Sequence, residues 1–122
     1  MKSVLIIDDD LRNTFALSAV LKAKGYNTAI ANNMVEAFAL LERSANETGI
    51  ILLDIMMPGM DGYDAIPMLK STETYKHIPV IAVTAQAMPG DREKCIAAGA
   101  DNYVSKPVDV DRLLKIINEC IK

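Results

Sequence analysis

The sequence predicts an α/β domain with a parallel sheet covered on both faces, and three observations carry that prediction. Short apolar runs rich in β-branched residues alternate five times with longer segments of helical period, as strand–helix crossover units do. The runs Val4-Leu5-Ile6-Ile7, Ile50-Ile51-Leu52-Leu53 and Val80-Ile81-Ala82-Val83 lack polar alternation, as strands buried on both sides do. The chain has 122 residues, 51% of them hydrophobic and 24% charged, which is the size and mixture of one domain, so a single sheet must serve all of it. A chain of this length buries roughly two thirds of its unfolded surface and needs neither disulfides nor a structural metal to hold a core.

Each element has readable ends. After the first strand, Leu17, Val20, Leu21 and Lys24 repeat at helical spacing, and Gly25 is a natural left-handed stop. A weaker strand follows at Thr28-Ala29-Ile30. The second helix opens on Asn33 and Glu36, a capping-box-like pair, and continues through Ala37, Leu40 and Leu41. Beyond the third strand, a helix should start after Asp61. It contains Pro67, which removes one backbone hydrogen bond and should kink it. Pro89 suits the first turn of a fourth helix that ends at Gly99. A short fifth strand lies around Tyr103-Val104. Asp109 caps a fifth helix whose apolar face is Leu113, Leu114, Ile116 and Ile117 and which runs to Lys122. No repeat, low-complexity segment or linker interrupts the pattern. Residues 1–122 therefore read as a single domain with nothing left over for an effector domain.

Composition excludes several functions. The formal charge is −3 and no Lys/Arg-rich run occurs, so the positive face needed for direct nucleic-acid binding is missing. Before the three aspartates, the N-terminus offers only Lys2 and four apolar residues, far short of a signal peptide or membrane span, so a cytoplasmic protein is expected. Cys95 and Cys120 lack metal-ligand spacing and read as buried small hydrophobes. His77, the only histidine, reads as a solvated loop residue.

The chemistry lies directly after the strands. Asp8-Asp9-Asp10 follows the first run, Asp54 the third, Thr84 the fourth and Lys106 the fifth. In an open α/β sheet the carboxyl ends of the strands line one edge, where ligands bind at the reversal of strand order. Carboxylates about 5 Å apart repel by about 3 kcal/mol per pair at an effective dielectric of 20, so the site calls for a compensating cation. Lys106 supplies one charge. A hard divalent ion supplies the rest, and Mg²⁺ fits best because it takes few carboxylates and accepts phosphate oxygens, with Mn²⁺ as a substitute. Asp10 alone reads as a helix cap or turn residue. A carboxylate beside Mg²⁺, a lysine and a small hydroxyl suits formation of an aspartyl phosphate. Neither a glycine-rich phosphate loop nor a Ser-His-Asp order competes.

The phrases VLIIDDD, LLDIMMPGMDG, VIAVTA and NYVSKP resemble, in order and spacing over the whole chain, the receiver (response-regulator) domain of two-component signalling. The resemblance implies a flavodoxin-like (βα)5 fold with strand order 2-1-3-4-5. It implies Asp54 as phosphoacceptor, Asp9 as direct Mg²⁺ ligand, Asp8 acting through water, and the Met56 backbone carbonyl completing the protein ligands. Thr84 and Lys106 would hold phosphoryl oxygens, Tyr103 would be the switch aromatic, and Lys106-Pro107 would be a cis peptide. Pro58, Gly59 and Gly62 suit the tight loop after Asp54. Ala85 leaves the phosphoryl group accessible, and Met56 and Gln86 occupy the variable positions flanking the attacking water. Neither is acidic or basic, so only slow autodephosphorylation is expected. Implied partners are a histidine kinase or histidine phosphotransfer protein and a downstream protein target on the face of the fourth helix, fifth strand and fifth helix. Phe15, off the apolar stripe of the first helix, falls with Asn13 where the resemblance places phosphodonor docking. DDDLRNTFAL also resembles receivers within hybrid sensor kinases, while Met1 suits a free-standing regulator equally.

Three alternatives stand beside this reading. A haloacid-dehalogenase-type phosphatase also uses an aspartyl phosphate, but it places a second aspartate two residues on, where this chain has Met56. A receiver that has lost phosphorylation is opposed by the presence of Asp8, Asp9, Asp54, Thr84 and Lys106. Tyr103 could be an ordinary half-buried strand aromatic.

Overall fold

The structure, a computed structural model, describes residues 2–57, 62–84 and 90–121. Five parallel strands, β1 (Ser3–Ile7), β2 (Asn27–Ala31), β3 (Thr48–Asp54), β4 (Val80–Thr84) and β5 (Asn102–Ser105), form one sheet in the order β2-β1-β3-β4-β5. The helices α1 (Leu11–Ala23), α2 (Met34–Ser44), α3 (Gly62–Ser71), α4 (Asp91–Ala98) and α5 (Val110–Cys120) alternate with them. This is the flavodoxin-like arrangement expected, and the strand order reverses between β1 and β3.

Burial explains the order. All seven residues of β3 are buried, as are all five of β4, so these strands hold the middle. β2 mixes exposed and half-buried positions and takes the edge, where one side needs no partner. Alternate side chains divide the core between the two faces of the sheet. Leu5, Ile7, Leu53, Ala82 and Tyr103 pack with α2, α3 and Cys95 of α4, whereas Val4, Ile6, Leu52, Val83 and Val104 pack with Leu21 of α1 and with α5.

Several ends match the sequence. Gly25, at φ 93°, stops α1, with its N–H donating to the Lys22 carbonyl and that of Tyr26 to the Leu21 carbonyl. Gly99, at φ 119°, stops α4, and Asp109 caps α5 by accepting from the Asp111 and Arg112 N–H groups. α3 begins at Gly62 and continues through exposed Pro67. The Lys106-Pro107 bond is cis.

Other features differ. The buried face of α1 is Thr14, Ser18 and Leu21, whereas Leu17 and Val20 are half-buried and Lys24 is exposed. Small hydroxyls fit there because each is satisfied locally: Thr14 donates to the Leu11 carbonyl, and Ser18 meets the Thr28 hydroxyl at 2.7 Å. At α2, Asn33 accepts from the Glu36 N–H, but Glu36 reaches back to the Asn32 N–H rather than to that of Asn33. α5 ends at Cys120, because Ile121 turns extended after its N–H closes on the Ile117 carbonyl; helix does not reach Lys122. Leu114 is only half-buried, and so is Cys120, in contrast to buried Cys95. A 3-10 turn at Ala45–Glu47 links α2 to β3. His77 is exposed, as expected. Pro58, Gly59 and Pro89 lie outside the described residues.

Candidate functional site

At the carboxyl edge of the sheet, β1 and β3 run side by side with Ile7 opposite Leu53, so the residues that follow each strand emerge together. One carboxylate oxygen from each of Asp8, Asp9 and Asp54 lies within 4.8 Å of the others. Lys106 comes from the far side, its Nζ 3.4 Å from Asp8 Oδ2 and 3.6 Å from Asp54 Oδ2. Its backbone is fixed by donating to the Thr84 carbonyl at 2.7 Å, which ties the end of β5 to the end of β4.

The three carboxylates are not equivalent. Asp8 is buried and committed: Oδ1 accepts from the Asp10 N–H at 2.9 Å, and Oδ2 accepts from the Asn13 amide at 2.6 Å and from Lys106. Burial pushes the Asp8 carboxyl up, but these donors and the Lys106 charge outweigh it, leaving the carboxyl below the usual range. Asp54 is also buried, yet it accepts only the Met56 N–H, at 3.1 Å, apart from its ion pair. Burial and then the Asp8 charge hold it above the usual range, against the pull of Met56 and Lys106. Asp9 is exposed. Asp10 caps α1, accepting from the Arg12 and Asn13 N–H groups, which is the bland role expected.

Asn13 holds a role that sequence reasoning missed. It was read as a docking residue, whereas its amide is bonded to Asp8. The only signal was its position five residues after Asp8, in the first turn of the helix that Asp10 caps.

Thr84 ends β4 and is buried, one residue beyond the Asp54–Val83 pair. Ala82 and Tyr103 are register partners in the core on the α3–α4 face, and Thr84, two residues on from Ala82, faces the same side. Tyr103 is itself buried, so its ring is inward in this structure, and its carbonyl accepts from Arg112 of α5 at 3.0 Å. The side chain of Met56 is exposed beside the site. Ala85 and Gln86 lie outside the described residues.

The donor set is chemically uniform: three carboxylates with no sulfur or nitrogen ligand, the set that suits a hard cation such as Mg²⁺. A buried acid held next to an ammonium, with little hydrogen bonding to occupy it, is suited to nucleophilic attack at an electrophile whose negative charge the lysine neutralises.

Comparison with known proteins agrees. The response regulator receiver domain family matches residues 4–118. The polar-differentiation response regulator DivK of Brucella anthropi is 38% identical over 116 residues, covering 95% of this chain and 93% of that protein. The receiver domain of the sensor histidine kinase PA1611 of Pseudomonas aeruginosa, solved with a magnesium ion in its active-site cleft, superposes with a TM-score of 0.86 at 32% identity, covering 98% and 97% of the two chains. The chemotaxis protein CheY4 of Vibrio cholerae superposes with a TM-score of 0.88 at 26% identity over 99% of each chain.

Proposed function

The chain belongs to the response regulator receiver domain family, and from that premise we propose that it is a switch in which Asp54 takes the phosphoryl group of a partner's phosphohistidine. The observation that supports this best is the convergence of Asp8, Asp9 and Asp54 with the Lys106 ammonium reaching both buried carboxylates. An Asp54 oxygen attacks phosphorus, the P–N bond to the imidazole breaks, and its electron pair stays on the departing nitrogen. Lys106 neutralises one phosphoryl oxygen and the Thr84 hydroxyl donates to another. Asp9, Asp54 and the Met56 carbonyl would hold Mg²⁺, or Mn²⁺, with Asp8 acting through water. When bound, the cation neutralises charge on the transferring group. Water later hydrolyses the acyl phosphate slowly, past Met56, Ala85 and Gln86.

The donor is a histidine kinase or histidine phosphotransfer protein. It docks at the start of α1, where Leu11 and Phe15 stand exposed one helical turn apart. Because Asn13 is bonded to Asp8, Phe15 reports docking alone and Asn13 does not. Output is carried by α4, β5 and α5 to a protein target, with Thr84 and Tyr103 as the switch pair. Residues 1–122 act as one receiver domain, in the cytoplasm, without contacting nucleic acid. Among the described residues, no helix is long and apolar enough to cross a membrane.

Acetyl phosphate with Mg²⁺ should place one hydroxylamine-labile phosphoryl group on the wild type and none on Asp54→Asn. A stoichiometric label that survives in the variant overturns the assignment, and a label on His77 points to a different class of protein.

A further inference from the structure

Away from the acidic pocket, α3 and α4 meet at a second buried carboxylate. The Tyr63 hydroxyl, in the first turn of α3, donates to Asp91 Oδ1 at 2.7 Å, and Asp91 is the first residue of α4. Lys94, one turn on, stands 4.1 Å from the centroid of the Tyr63 ring. Gly90, at φ 88°, sets the direction in which Asp91 enters the helix. The other oxygen of Asp91, Oδ2, is buried and has no hydrogen-bond partner among the described residues. An acid at this position is accounted for in part by the helix dipole, but that asks for no buried oxygen and no phenol.

We propose that Asp91 is the residue through which α4 reads the position of Tyr103, an inference that rests on the switch reading of Thr84 and Tyr103 above. The Tyr103 ring is buried on the α4 side of the sheet. Burial and then the Asp91 charge push its phenol up, so carboxylate and phenol lie within electrostatic reach of each other. Asp91 therefore faces two tyrosines. Tyr63 fixes one oxygen to α3, and the inward Tyr103 offers a donor to the other, which is costly to leave unfilled. When the Thr84 hydroxyl is drawn to a phosphoryl group, the inward ring is favoured and its phenol secures the α4 N-terminus. When the ring leaves, Oδ2 is abandoned and α4 is held by Tyr63 and Lys94 alone. Occupancy of Asp91 Oδ2 is thus the differential contact by which two arrangements of α4 are told apart.

The test records amide NMR spectra of the full chain before and after acetyl phosphate and Mg²⁺, for wild type, Tyr63→Phe, Asp91→Asn and Tyr103→Phe. Tyr63→Phe keeps the ring beneath Lys94 and removes only the hydroxyl, so it guards against a fold defect in the others. Asp54 labelling and the shifts at Asp8, Asn13 and Met56 should match wild type in Tyr63→Phe and Asp91→Asn. The phosphorylation-dependent shifts from Arg92 to Ala98 should fall to less than about half in both. Combining Asp91→Asn with Tyr103→Phe should reduce them no further than either alone, as coupled residues do. A full wild-type α4 response in Tyr63→Phe and Asp91→Asn overturns the proposal while leaving the switch reading intact. A phosphorylated-like α4 pattern before phosphorylation also overturns it, because Asp91 would then hold the resting arrangement. If wild-type α4 does not respond at all, the switch reading itself fails and this proposal falls with it.

Discussion

The two edges of the sheet are both concave, but they gather different parts of the chain. At the carboxyl edge, strands end and helices begin, so the loops carry caps such as Asp10 and the partial positive charge of helix N-termini. Three carboxylates and one ammonium crowd there within a few ångströms. At the amino edge, helices end and strands begin. A groove of about 940 Å³ lies there among Lys24, Tyr26, Glu47, Asn118 and Ile121, larger than anything the acidic site needs. Its lysine and glutamate come from different elements and converge on nothing. Chemistry on this fold therefore follows stored electrostatic conflict, not volume.

That contrast is broken most directly by removing the conflict. Asp54 lies above the ordinary carboxylate range because of burial and the Asp8 charge. A carboxyl raised on folding contributes its stability only below its unfolded pKa, about 3.9, and loses it as pH rises through the folded value. At pH 7 it is therefore a cost, and Asp54→Asn should stabilise the domain. The expected gain is about 1–2 kcal/mol, the repulsion of about 3 kcal/mol per pair less the attraction of Lys106. In thermal melts this is a rise of roughly 3–8 °C at pH 7 that vanishes below about pH 4. Asp8 has the opposite sign. Its depressed pKa gives stability above the unfolded value that is lost as pH falls through the folded one, so the variant remains acid-labile. Equal melting temperatures at pH 7 would mean that Lys106 already balances the pocket.

A cation should do reversibly what that substitution does permanently. With Mg²⁺ at ten times its Kd, wild type should gain about 1.4 kcal/mol by mass action, and Asp9→Asn should lose most of that gain. Equal Mg²⁺ shifts in the two proteins would remove Asp9 from the ligand set. The exposed position of Asp9, against the fully engaged oxygens of Asp8, is the reason for choosing it.

How much of this was legible in the sequence differs between the same two regions. Asp8, Asp9, Asp54, Thr84 and Lys106 could be placed on one edge because each directly follows an apolar run, and a parallel sheet leaves no other place for them. What the sequence hid are contacts made across elements. Asn13 looks like any helix-face amide until β1 and α1 are folded together and its side chain meets Asp8. The inward face of α1 was misread for a related reason: periodicity counts apolar residues, whereas Thr14 and Ser18 can turn inward once their hydroxyls find local acceptors. Tyr63 and Asp91 are 28 residues apart and share no motif, so only the packing of α3 on α4 pairs them.

The smallest effect sharpens the comparison from the amino edge. Gly49 lies in β3 behind the groove, and a Cβ there would sit 2.8 Å from Ile121 Cγ1 and 2.9 Å from Lys2 Cβ. Both neighbours are side chains at the ends of the chain and can yield, and alanine also loses less chain entropy than glycine on folding. Gly49→Ala should therefore cost only about 1 kcal/mol, at the low end for overpacking, or roughly 3–5 °C in Tm. The same strand carries Asp54 at its other end, so the substitution also asks whether strain at one edge reaches the other. Asp54 pairs in register with Val83, and β3 is buried on both sides along its length, so the amino end can shift without moving the carboxyl end. The rate of Asp54 labelling by acetyl phosphate, measured well below the melting transition, should match wild type. A labelling rate that falls in step with stability would show that β3 transmits strain along its length, and the two edges could no longer be treated as independent.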